Sequence, residues 1–167
     1  MTHRVLGIDP GLASTGWGII DSSGSRHKHI DHGTFSTNSK ELPERRLLSL
    51  YREITSLIEA FKPSGMGIET LFFSKNISSA LPVAQARGVV LLAAAEQGIA
   101  VGEYSPVTIK QSVVGAGGAA KIQVQEMIRI LLGLQDIPEP DHAADALAAA
   151  ITFIHHGSLW STVSAVL

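Results

Sequence analysis

The feature that most constrains this chain is a change of period near residue 40. Residues 3–8, 15–21 and 28–37 read as three strands. Their connections, Pro10-Gly11 and "DSSGS" at 21–25, are short enough to demand an antiparallel meander. From 43 to 61, "PERRLLSLYREITSLIEAF" then places Leu47, Leu50, Ile54, Leu57, Ile58 and Phe61 at helical spacing, with Pro43 suited to the first turn. "SGMGIE" at 64–69 reads as a short buried strand, and its entry through a helix favours parallel pairing with the first strand. A second helix over about 77–97 and a fifth strand, "IAVGEYS" at 99–105, follow. The remainder reads as helical apart from "GAGGA" at 115–119 and "QDIPEP" at 135–140. The order βββαβαβ followed by helices predicts an α/β fold: a mixed five-stranded sheet, its first three strands antiparallel, flanked by helices. The expected organisation is one domain over residues 1–156 with a C-terminal tail at 157–167.

Composition narrows the chemistry. The absence of cysteine excludes disulfides and thiolate metal sites, so Asp, Glu and His are the side-chain ligands open to a metal, and a reducing, cytoplasmic location is expected. The N-terminus leads directly into a strand and shows no signal-peptide pattern. The most apolar run, "GVVLLAAA" between Arg87 and Glu96, is shorter than the roughly 20 residues of a membrane span, so no membrane partner is expected. A net charge of -2 argues mildly against a nucleic-acid partner. That argument weakens if acids gather around a cation, leaving scattered Lys and Arg to meet phosphates.

The acids fall at element ends. Asp9 ends the first strand, Glu69 ends the fourth, and "EPDHAADALAAA" at 139–150 opens the last helix with Asp141, His142 and Asp145. If strands one and four are neighbours, Asp9 and Glu69 emerge side by side, a repulsive pair unless one protonates, a Lys or Arg intervenes, or a divalent cation binds. His142 and Asp145, three residues apart, share a helix face and can complete an oxygen-rich site with one imidazole. The helix N-terminus helps to keep His142 neutral. Taken singly, each has an ordinary explanation: Asp9 as a turn residue before Pro-Gly, Glu69 as a solvated strand end, His142 as a surface histidine. Asp141, after Pro140 and before an Ala-rich helix, reads better as an N-cap than as a ligand. Their joint placement at the ends of otherwise apolar elements favours a shared site.

"GIDPG" at 7–11, "IET" and "FF" with "KN" over 68–76, "QARG" at 85–88, "TIKQSVVG" at 108–115, "AAK" at 119–121 and "DHAADALAAAI" at 141–151 together resemble the RuvC family of Holliday-junction resolvases. The resemblance runs in order from about residue 4 to 154. It implies a ribonuclease H-like fold, a homodimer, paired symmetric nicking of four-way junction DNA, and association with a branch-migration complex of the RuvA and RuvB type. Residue by residue, it implies metal ligation by Asp9, Glu69, His142 and Asp145. Many relatives carry Asp where this chain has His142, and the imidazole favours Mn²⁺ over an all-oxygen preference for Mg²⁺. Two such ions in one site would activate water and stabilise the departing 3′ oxygen, leaving 5′-phosphate and 3′-hydroxyl ends.

Lys121 matches a family lysine near the cleaved strand, where an ammonium can offset charge on phosphate. Lys110 matches a second basic position, and Lys75 and Arg87 are further candidate DNA contacts. Solvated helix charge is the ordinary alternative for each lysine. Phe72 is the candidate ring for stacking on an unpaired base, with core packing the competing account. The small-residue face of helix 77–97 can pair with a second copy or pack on the sheet. Other readings are a different ribonuclease H-like nuclease of the YqgF type, a noncatalytic junction-binding module, and an ATP-binding protein of the actin and sugar-kinase type. For the last, the chain is too short and has no second phosphate loop.

Overall fold

The computed structural model describes residues 1–70 and 77–157. Phe72, Lys75 and the tail at 158–167 lie outside the described residues. The elements are β1 (His3–Asp9), β2 (Ser14–Ser23), β3 (Arg26–Ser36), α1 (Pro43–Phe61), β4 (Gly65–Glu69), α2 (Ile77–Glu96), β5 (Ala100–Tyr104), α3 (Pro106–Val114), α4 (Lys121–Leu132) and α5 (Asp141–His156). The sheet order is β3-β2-β1-β4-β5. β1, β2 and β3 pair antiparallel, whereas β4 pairs parallel with both β1 and β5. This is the mixed sheet expected from the element order, since hairpins join the first three strands and helices join the rest.

Side chains alternate across the sheet and divide the core in two. Leu6, Ile8, Ile19, Met66 and Ile68 point to the side covered by α1 and α2. Val5 and Ile20 point to the side covered by α3, α4 and α5. The same alternation sends Asp9 and Glu69, two residues beyond Gly7 and Gly67, toward α5.

Glycine and alanine set how close α5 comes. A Cβ at Gly7 would lie 1.8 Å from the Ala146 carbonyl oxygen, and one at Gly16 would lie 1.9 Å from that of His142. Ala143, Ala146, Ala149 and Ala150 on α5 are completely buried. The helix therefore rests with its backbone almost on the strands, and its N-terminal turn meets the end of β1. Gly7→Ala is expected to lower unfolding stability by about 3 kcal/mol, because backbone cannot yield as a flexible side chain can. A thermal or denaturant melt matching the parent would contradict this packing account.

Two expectations need correction. The helix expected over about 77–97 is α2, but "GVVLLAAA" is not its whole apolar length: Ser78–Glu96 is long and apolar enough, by length and composition alone, to cross a membrane. Its inner face is core: Ala86, Val90, Ala93 and Ala94 are fully buried, whereas Leu81 and Leu92 face outward. Asp141 is not an N-cap. The N-cap position of α5 is Pro140, no side chain caps that end, and Asp141 is the first helical residue.

Candidate active site

The site assembles at the carboxyl ends of the two central parallel strands, the usual crevice of open α/β sheets. Asp9 is 8 % exposed, and its Oδ2 accepts a hydrogen bond from His142 Nδ1 at 2.7 Å. Residues 133 positions apart are thus in contact. Donor atoms of Asp9, His142 and Asp145 all lie within 4.8 Å of one another. Glu69 stands outside that three-residue group but lines the adjoining pocket with Asp145, and the charges of Asp9 and Asp145 act on its carboxyl.

The electrostatics are those of crowded acids. Burial, reinforced by the charges of Asp9 and Asp145, pushes the Glu69 carboxyl up to about 8 from its ordinary 4.5. Burial also raises Asp145, although Lys121 opposes that shift. Lys121 Nζ lies 3.1 Å from Asp141 Oδ2 and 3.3 Å from Asp145 Oδ2. One ammonium shared with Asp141 does not balance Asp9 and Asp145, and Glu69 adds a further negative charge once it ionises. A divalent cation fits this donor set: hard carboxylate oxygens plus one imidazole converge where negative charge is in excess.

A pocket of about 200 Å³ opens beside the group, lined by Glu69, Lys110, Lys121 and Asp145 together with Pro106, Ile109, Val124 and Ala148. Lys110 and Lys121 therefore border the acids, from the adjacent helices α3 and α4. Arg87 does not join them. It bridges α2 to β5 through a 2.6 Å contact with Glu103. Sequence reasoning missed the contacts of Asp141, which accepts from Gln125 Nε2 at 3.1 Å and pairs with Lys121. A signal was present in the spacings, since Lys121 and Gln125, and likewise Asp141 and Asp145, stand four apart on their helices.

The model of the family described as "Crossover junction endodeoxyribonuclease RuvC" matches residues 5–153. A Treponema denticola protein of that name is 54% identical over 155 residues, covering 93% of this chain and 87% of its own length. The structure of Thermus thermophilus RuvC superposes with a TM-score of 0.87 at 33% identity, covering 94% of this chain and 96% of that one. The same protein in complex with a Holliday junction substrate gives 0.86 at 30% identity, covering 93% and 96%.

Proposed function

The chain belongs to the RuvC family of crossover junction endodeoxyribonucleases, with a ribonuclease H-like α/β fold, and from that premise we propose that it resolves Holliday junctions by paired, symmetric, metal-dependent nicks. The observation that carries this reading is the convergence of Asp9, His142 and Asp145 within 4.8 Å at the carboxyl ends of the central strands, with the Glu69 carboxyl lining the adjoining pocket beside Asp145. These four residues would hold divalent metal, Mg²⁺ or Mn²⁺ and two ions per site, with Asp9 central. When bound, such ions supply an activated water and stabilise the leaving oxygen.

The chain's own residues do the rest. Lys121 presents an ammonium beside the acids and offsets charge gathering on the phosphate. Lys110, also lining the pocket, adds a second cation for the DNA backbone. Partial burial of Glu69 and Asp145 keeps the carboxylates in a low-dielectric pocket, where each charge acts more strongly than in water. Phe72 as the stacking ring, with Lys75 and Arg87 as backbone contacts, completes the proposed interface. The expected products carry 5′-phosphate and 3′-hydroxyl ends.

A four-way junction presents equivalent strands about a twofold axis, which calls for two sites related in the same way. The outward face of α2, with Leu81 and Leu92 exposed, supports pairing with a second copy. A branch-migration complex of the RuvA and RuvB type is the proposed partner, and a DNA substrate agrees with a cytoplasmic location.

The test compares a four-way junction with a linear duplex of matched sequence, across full titrations of Mg²⁺ and Mn²⁺. Paired nicks in the junction, with faster turnover in Mn²⁺ because His142 replaces a carboxylate, are the expected result. Equal cutting of both substrates would overturn junction selectivity, and turnover in Mg²⁺ matching that in Mn²⁺ would overturn the role given to the imidazole.

A further inference from the structure

Lys121 and Asp141 are the first residues of α4 and α5. A cation in the first turn of a helix opposes the helix dipole, whereas an anion there is favoured. α4 alone would therefore leave Lys121 poorly placed, and the carboxylates of α5 compensate. An exposed ion pair between flexible side chains ordinarily holds little, and the Lys121 and Asp141 side chains are 51% and 67% exposed.

This pair has an additional support. Asp141 Oδ1 accepts a 3.1 Å hydrogen bond from Gln125, which is only 9% exposed, leaving Oδ2 for Lys121. Gln125 follows Lys121 by one helical turn, so a buried amide orients the carboxylate that holds the ammonium. The other anchor of Lys121, Asp145, belongs to the group suited to metal. Asp141 stands outside that group and engages Gln125 and Lys121 instead.

Resting on the functional reading above, we propose that Asp141, oriented by Gln125, is the positioning residue that holds the Lys121 ammonium at the pocket where the scissile phosphate binds. Without it, the ammonium must be ordered anew for each cleavage event. The loss then falls on the cleavage step and acts through Lys121.

The experiment measures single-turnover junction cleavage by the parent protein, Asp141→Asn, Asp141→Glu, Lys121→Ala and the double variant Asp141→Asn/Lys121→Ala. Alongside it, NMR order parameters of the Lys121 Cε methylene are recorded on protein free of metal and DNA. Asp141→Asn is expected to slow cleavage about tenfold, the lower end of the scale for an outer-shell partner. The same change should add nothing once Lys121 is gone. Asp141→Glu should restore most of the rate, and the methylene should lose order in Asp141→Asn. Equal slowing by Asp141→Asn with and without Lys121, or an unchanged methylene, would overturn the proposal. Absence of junction cleavage by the parent protein would overturn the functional reading instead, and the methylene measurement would still decide whether Asp141 positions Lys121.

Discussion

Asp9→Asn is expected to bind a four-way junction and leave it uncut, with the cleavage rate falling by about 10³-fold, the upper end for removal of one preorganised polar group. Asp9 is the nearly buried member of the group, in contact with His142 and with its charge felt by the Glu69 carboxyl. Asparagine has nearly the same shape and keeps an oxygen that can accept from His142, so the fold and the DNA-facing surface should persist. What disappears is the central negative charge. Its loss also relieves repulsion on Glu69, so the metal-free variant should melt no lower than the parent protein. Binding is read by gel shift without divalent metal, and cleavage by product bands with it. A variant that cuts at the parent rate would remove Asp9 from the reaction.

The second large effect concerns stability in the absence of metal. Glu69 holds its proton in the folded chain until about pH 8, against 4.5 as its ordinary value. Between these limits the unfolded chain has already released the proton, so ionisation favours unfolding. The contribution of this group is fully present below its unfolded pKa and is lost as pH rises through the folded value. Each tenfold difference in proton affinity between the folded and unfolded chains is worth about 1.4 kcal/mol, so the total is a few kcal/mol. Asp145, also raised by burial, acts in the same direction. His27 and His29, pushed down by burial, act in the opposite direction near their ordinary 6.5, and Glu69→Gln isolates the carboxyl from them. In EDTA, the parent melting temperature should fall relative to Glu69→Gln between about pH 5 and about pH 8. Added Mg²⁺ or Mn²⁺ should restore it most at the upper end, where the carboxylates ionise most readily. Parallel melting curves for the two proteins would show that burial does not perturb Glu69.

Both effects trace to positions that could be read along the chain. Helical spacing delimited α1 at Pro43–Phe61, and crossover logic paired β1 with β4. Period-two alternation is a local rule, so once those strands are neighbours, Asp9 and Glu69 must leave the sheet on one face. The joint pattern of acids and His142 was legible for the same reason: it needs only element order and spacing.

Asp141 was legible only in part. Its neighbours, Pro140 and the alanines, describe a helix start and favour a cap, yet its carboxylate bonds to Gln125 and Lys121 on α4. α2 shows a similar limit. Its apolar run was evident, but which residues enter the core depends on the sheet beneath it, and Arg87 is engaged by Glu103 sixteen positions away. Gly7 and Gly16 likewise look like ordinary strand glycines until α5 lies against them.

Local sequence thus determined the order of elements, the face on which each strand residue lies, and the acids and imidazole available for chemistry, because periodicity and turn propensity act over a few residues. Tertiary structure alone decided the distance between Asp9 and His142, the proton held by Glu69 and the tethering of Lys121. Hydrogen bonding, burial and charge repulsion act over a few ångströms in space, and these partners become neighbours only when α4 and α5 close on the sheet.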